Sequence, residues 1–539
     1  MENFSLLYPT GKHPDYQTLS DDTCRNLSLE HIIQHVTPNN AERNMIKRMM
    51  TQIECDPDVI RFRCDIFEDI IRFPELRNKM KDLLEQLDFM KSIGGNFVEE
   101  NASSIWQLVN RLRELEVYID CITKIKETLQ QYPVKSEGLK QLRDYVSSVY
   151  NDSGFKFLSE DIKELLTETD EIKSITLGVN LDSMLRPVEV GIMSINKERI
   201  EHSGIMKKFN KFIEFLPLVG DLLDGKNIDM TRMRTVGTSA EDDPLMKNLC
   251  NAVTDMLGST VKHLKNKLSK YVNISGYALT RFIPEFTFYI RWADFCSKIM
   301  EMGMPMTRPE ILAPEKNSLS SKGIYDLKLA IQNLEGANID IVSNDFEFAT
   351  ENGIYIMTGP NRGGKTTFTQ SIGVLFVLAQ NGIFVPAQSL QISPCDNIFT
   401  HFPADENQTV NLGRLGEESK RISEIFASAT DRSLLLFNES LATTSFTEGL
   451  YIAKDVVRAM RRLGARTIFN THMHELATDL DSINYLDGNM MVASLITGIH
   501  EGRRSFKVYI APPEGISYAK DIAEKYGVTY EQLERSIVH

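Results

Sequence analysis

GIYIMTGPNRGGKTT, residues 353–367, opens with a β-rich run (Ile354 to Met357) and turns through Gly359, Pro360, Asn361, Arg362, Gly363 and Gly364 into Lys365, Thr366 and Thr367. The turn fits G-x-x-x-x-G-K-[ST], and helical character follows from Thr367 to Gln380. Strand, glycine-rich turn and helix start, in that order, bring backbone N–H groups and the positive end of a helix dipole onto phosphate oxygens. Gly359, Gly363 and Gly364 permit backbone conformations and a close approach that side chains would block. In such a loop Lys365 reaches the β- and γ-phosphates of a nucleotide and the Thr366 hydroxyl ligates Mg²⁺, so ATP and Mg²⁺ are the expected ligands. A chance glycine turn is the competing reading, and it requires neither the strand before nor the helix after.

The composition frames this motif. A chain of 539 residues exceeds what one hydrophobic core usually supports, which suggests two to four domains. Hydrophobic content of 42% and charged content of 25% are ordinary for a soluble globular protein. No apolar run is long enough to span a bilayer and the first residues lack a signal-peptide pattern, so a cytoplasmic protein without membrane attachment is expected. The seven cysteines are scattered without a C-x-x-C pair, which points away from a disulfide framework or a zinc site. A net charge of −14 argues against coating nucleic acid by bulk electrostatics while leaving room for a local basic patch.

From Leu27 to Ile299 the pattern is helical. Asp56-Pro57 reads as an N-cap with proline at N1, followed by Val59, Phe62, Ile66, Phe67, Ile70 and Ile71 at helical spacing. Pro74 restarts a helix, and a longer one is expected from Ser103 to about Gln131. Alternation at Ile175–Leu181 and again from Val188 to Ile192 predicts two short strands in an insertion at about 173–245. Two lysine clusters, Lys207, Lys208 and Lys211, then Lys262, Lys265 and Lys267, are either solvated helix faces or phosphate-binding patches. The Pro-, Ser- and charge-rich stretch from Pro305 to Lys322 suggests a boundary near residue 310, dividing a helical domain (1–310) from an α/β domain (311–539). Beyond it, apolar runs at Ile354–Met357, Ile383–Val385, Ser433–Phe437 and Arg466–Phe469 alternate with helices, as in a sheet with crossover helices.

In Leu434-Leu-Leu-Phe-Asn438-Glu439 a buried strand ends in a polar pair, which is either a strand-end turn or a Walker B element. In the latter the first residue, normally Asp, helps hold Mg²⁺, and Glu439 orients or deprotonates the attacking water. Asn438 offers an amide oxygen without negative charge, so ATP binding with slow hydrolysis is expected. Thr467-Ile-Phe469 leads to Asn470-Thr471-His472, where His472 is either structural or a sensor of the γ-phosphate.

These residues resemble the MutS family of ABC-type ATPases. TGPNRGGKTT is similar to its phosphate loop, Phe384 to Thr400 (FVPAQSLQISPCDNIFT) to the segment after the first helix, and Asn438-Glu439 with Thr444-Ser445 and Glu448-Gly449 to its Walker B and D-loop run. Phe469 to His472 resembles the switch-histidine strand, and Pro513 to Tyr518, with Ala519 and Gly527, its last strand-to-helix element. IRFRCDIFEDI (60–70) and RWADFCSKIMEMGMPMTRPEI (291–311) look like the ends of the family's lever helices, which places the insertion where a DNA-embracing clamp would be. The resemblance implies an all-helical lever/core domain with a clamp-like insertion, then an ABC-type P-loop ATPase domain that forms a homodimer through its heads and acts on DNA, as in mismatch repair.

Several residues depart from the family pattern. The resemblance starts at the lever region and runs to the last strand-to-helix element, so a protein without the mismatch-reading and connector domains and without a nuclease module is expected. Gly413-Arg414 matches the start of the family signature, but Leu415-Gly416-Glu417-Glu418 stands where Ser-Thr-Phe is usual. The adenine-packing region corresponds to Ile341-Val-Ser-Asn344, with an aliphatic residue where an aromatic is common. Two other readings stay open: a nucleotide-dependent switch acting on a protein or ribonucleoprotein, favoured by the acidic charge and Asn438, and a degenerate ATPase kept as a structural subunit.

Overall fold

The structure is a computed structural model and describes residues 4–94, 105–170, 173–185, 187–198, 257–274, 276–349, 352–360, 362–403, 413–441, 445–500, 503–513, 524 and 526–537. Lys207, Lys208, Lys211, Asn361, Thr444 and residues 514–519 lie outside them.

The chain folds into two compact units, one of Met1–Lys81, Gln131–Leu142 and Phe282–His539, the other of Asp82–Gln130 and Arg143–Arg281. These units cut across the boundary expected near residue 310. The Pro-, Ser- and charge-rich stretch supplies strands Glu310–Ile311 and Leu319–Ile324 to a four-stranded sheet completed by Ser389–Ile392 and Asn344–Phe348.

The first unit is built on a larger, six-stranded sheet. Its strands are β1 (Asn352–Thr358), β2 (Ile398–His401), β3 (Leu434–Asn438), β4 (Arg466–Asn470), β5 (Met491–His500) and β6 (Arg503–Ile510). Their spatial order is β2-β3-β4-β1-β5-β6, with every neighbouring pair parallel except β5 and β6. Parallel strands covered on both faces should read as continuous apolar runs, and β3, LLLFN, is buried along its whole length. The expected strand at Ile383–Val385 is not one: Val385 makes only an isolated bridge to Thr307. That position in the sheet belongs to Ile398–His401, which pairs in register with Leu434–Phe437.

The phosphate-loop helix, α1 (Lys365–Gln380), is buried nearly all round. A Cβ on Gly373 would lie 2.4 Å from Leu27 and 2.9 Å from Leu436, so the helix is closely packed between β3 and the amino-terminal helices. Gln380 Nε2 donates to Glu54 O at 2.8 Å and Gln370 Nε2 to Asn26 O at 2.6 Å. Its amphipathic neighbour Pro57–Arg72 starts as expected, with the Asp56 side chain accepting from Asp58 N. A helix apolar on both faces needs two covers, and residues 20–64 provide the second.

The second unit holds helices Ile105–Gln131, Ser153–Asp170 and Gly258–Leu268, and an antiparallel pair, Ser174–Leu181 with Pro187–Asn196, at the expected strands. Lys267 pairs with Glu164, Lys270 with Asp161 at 3.2 Å and His263 with Glu168 at 3.6 Å. These partners recur on one face of Ser153–Asp170, so of the second lysine cluster Lys267 is engaged by the neighbouring helix. Lys262 and Lys265 are exposed. Among the described residues no helix is long and apolar enough to cross a membrane. Among them too, the free cysteines are buried or half-buried: Cys24, Cys55, Cys64, Cys121, Cys296 and Cys395.

Candidate nucleotide site

Register places the chemistry at one edge of the sheet. Asn438 at the end of β3 pairs with Asn470 at the end of β4, which in turn pairs with Met357 of β1, just before the phosphate loop. Ligands of parallel α/β sheets lie at this carboxyl edge. The loop has the backbone its glycines predict: Gly359 has φ 142° and Gly364 φ 92°, while Arg362 reaches φ 58° without being glycine. A Cβ on Gly359 would come within 2.1 Å of Thr497 Oγ1, and one on Gly363 within 2.8 Å of Pro360 O. The cradle therefore has no room for side chains there.

Lys365 is buried, and its Nζ donates to Gly359 O at 3.0 Å and Pro360 O at 3.1 Å. Burial pushes its pKa down, opposed by the Glu439 charge. Among the described residues no carboxylate is paired with this ammonium, and an ammonium held by loop carbonyls fits an anionic ligand that would supply the charge.

Thr366 Oγ1 donates to Asn438 Oδ1 at 2.8 Å, and Asn470 Nδ2 donates to the same oxygen at 2.5 Å. The two candidate magnesium ligands are thus adjacent. Both are neutral oxygen donors, which suits Mg²⁺ only together with nucleotide phosphates and water. Among the described residues no cluster of His, Cys, Asp or Glu could hold a metal unaided.

Glu439 and His472 meet: His472 Nε2 is 2.9 Å from Glu439 Oε1. This hydrogen bond holds the Glu439 carboxyl below its ordinary range, against the opposing effect of burial, so it is ionised at neutral pH. Glu439 itself has φ 50° and its N–H donates to Asn470 O at 2.8 Å.

Beside the loop lies a cavity of about 420 Å³ lined by Tyr325, Asp326, Leu329, Val342, Asn344 and Phe506, with Arg362 to Phe368 and Glu439 along its wall. Val342 and Asn344 fall in the expected adenine-packing region. The aromatic walls come from elsewhere, Tyr325 after strand Leu319–Ile324 and Phe506 from β6. Phe506 has φ 56° and lies 3.4 Å from where a Gly364 Cβ would stand. Asn344 holds it by donating to Phe506 O at 3.2 Å and accepting from Val508 N at 2.9 Å. Nothing local in RRSFKVYI marks Phe506 as a pocket residue, because only the β5–β6 pairing brings it there. Burial raises the pKa of Asp326, which caps helix Leu327–Leu334.

Residues 355–516 match a family model described as MutS domain V, and residues 55–302 match one described as the MutS2 N-terminal domain. The DNA mismatch repair protein MutS of Chlorobaculum tepidum is 33% identical over 564 residues, covering 94% of this chain and 60% of that protein. The DNA mismatch repair protein MSH2 of Zea mays is 24% identical over 489 residues, 84% of this chain and 50% of its own length. The DNA mismatch repair protein MutS of Caldanaerobacter subterraneus subsp. tengcongensis is 23% identical over 537 residues, 93% of this chain and 57% of that protein. The chain thus spans 50% to 60% of the length of these relatives. Domain V matches across the sheet that carries Lys365, Asn438 and His472, and the second match covers most of the helical segment before it: the chain is a divergent member of the MutS family.

Proposed function

We propose that this chain is an ATP-binding, slowly hydrolysing head of MutS type, acting on DNA as its named relatives do and pairing with a second copy through the heads. The observation that carries the reading is Lys365, a buried ammonium held by Gly359 O and Pro360 O at the mouth of a glycine cradle. A triphosphate would supply the counter-charge that the protein withholds.

In this reading Thr367 and the N–H groups of the loop bind phosphate oxygens at the start of α1. Thr366 and Asn438 would hold Mg²⁺, which when bound neutralises charge on the β- and γ-phosphates. Glu439 orients the attacking water, and His472 holds that carboxylate in place. Asn438 leaves the metal one negative charge short of the usual arrangement, which slows turnover. The helical unit would serve as a lever and the insertion at about 173–245 as a clamp on DNA phosphates, reading shape rather than base sequence. Of the lysine candidates for that contact, Lys267 is the weakest, because Glu164 already occupies it.

Nucleotide-dependent DNA binding tests this. With Glu439→Gln blocking turnover, affinity for branched and linear duplexes should differ between ATP and ADP and fall steeply as salt rises. No binding at low salt, or equal binding in every nucleotide state, contradicts it.

A further inference from the structure

The loop that carries Glu439 is fixed from three sides. Glu439 and Leu441 have φ 50° and 63°, the left-handed region that residues with side chains keep only where their surroundings impose it. β4 contributes one restraint, Asn470 O accepting from Glu439 N at 2.8 Å. β2 contributes a second: His401 Nδ1 is 2.7 Å from Ser440 Oγ, and that hydroxyl donates to His401 O at 3.2 Å. The third comes from outside the sheet. Leu441 N donates at 2.8 Å to Glu418 Oε2, on helix α2 (Gly413–Ser428).

Glu418 is only 8% exposed. A carboxylate brought out of water to hold a backbone N–H carries a desolvation cost, which a charge-assisted hydrogen bond partly offsets. It sits in the first turns of α2, within the run Leu415-Gly416-Glu417-Glu418 that departs from the family signature. That run therefore has a use within its own chain.

We propose that Glu418 is a positioning residue that ties α2 to the loop bearing Glu439, so that a shift of α2 moves Glu439 from its place. This rests on the reading of Glu439 as the residue that orients water during ATP hydrolysis. Glu418 makes and breaks no bond; it acts through the Leu441 backbone. Any displacement of the amino-terminal turns of α2 is then transmitted to Glu439 along one hydrogen bond.

The test uses the full chain: ATP turnover, equilibrium ATP binding and thermal unfolding for wild type, Glu418→Ala, Glu418→Gln, Glu439→Gln and the double variant Glu418→Ala/Glu439→Gln. Glu418→Ala should lower kcat by about tenfold or more while ATP Kd stays within about twofold. Glu418→Gln can still accept from Leu441 N and should keep kcat within about threefold of wild type. In the Glu439→Gln background, Glu418→Ala should change nothing further, because the two act as one unit. Should Glu418→Ala fail to fold, Glu418→Asp, whose shorter side chain withdraws the acceptor, replaces it in the comparison with Glu418→Gln. Wild-type kcat in a folded Glu418→Ala, or added loss in the double variant, overturns the tether alone. Wild-type turnover no higher than that of Glu439→Gln overturns the hydrolytic reading of Glu439, and the tether's catalytic role with it.

Discussion

Asn438→Asp restores the carboxylate that the magnesium site lacks, and the geometry fixes what it should do. Asn438 is 6% exposed, and its Oδ1 accepts from Thr366 Oγ1 at 2.8 Å and Asn470 Nδ2 at 2.5 Å. A carboxylate there keeps both hydrogen bonds and strengthens them, recovering about 1.5–3 kcal/mol. Burial of the new charge costs several kcal/mol, and the ionised Glu439 next to it adds repulsion. The nucleotide-free variant should therefore be about 1–2 kcal/mol less stable than wild type at pH 7. Lowering the pH protonates the new acid, whose pKa is raised by burial and by Glu439, so this deficit should shrink as the pH falls through that raised value. Mg²⁺ and ATP should reverse the order, since one extra negative charge beside the metal is worth about tenfold or more in its affinity. Urea unfolding with and without Mg²⁺-ATP, and turnover against magnesium concentration, measure both effects. If the variant is as stable as wild type and needs as much magnesium, Asn438 is not at the metal and the slow-hydrolysis argument fails.

Two further outcomes follow from the same site. Gly359→Ala puts a Cβ 2.1 Å from Thr497 Oγ1 at φ 142°, and should weaken ATP binding by about tenfold or more in a nucleotide titration; wild-type affinity would show that the cradle does not contact the ligand. His401 is buried, stacked on Phe437 and depressed in pKa from 6.5 to about 4, mainly by desolvation. Because the unfolded ring binds protons that the folded one refuses, its contribution of about 3 kcal/mol is complete above pH 6.5 and is lost as the pH falls toward 4. Urea unfolding between pH 7 and 4.5 should show that slope, and His401→Gln should flatten it; an unchanged slope in the variant would place the titration elsewhere.

The glycine turn before α1, the buried strand that stops at Asn438 and the one that stops at Asn470 were legible as structure because their signals are local: glycines where the backbone needs them, polar residues where buried strands stop. Pairing was not. Ile383–Val385 and Ile398–His401 are both short and apolar-rich, and only the neighbour Leu434–Phe437 decides which joins the sheet. The packing of α1 was not legible either, since its second cover comes from Leu27, Asn26 and Glu54, far away in sequence. Long-range contacts also hid Phe506 in the cavity wall and paired Lys267 with Glu164. Glu418 was visible as a departure from a signature, but its role depends on Leu441 lying 2.8 Å away.

The most direct test of an ATP-binding head is an equilibrium ATP titration of wild type beside Lys365→Ala. Loss of the buried ammonium removes the charge-assisted contact to the phosphates, so wild type should bind saturably and the variant about a hundredfold more weakly or not at all. Equal affinity in the two proteins would contradict the assignment of residues 359–367 as the nucleotide's phosphate cradle.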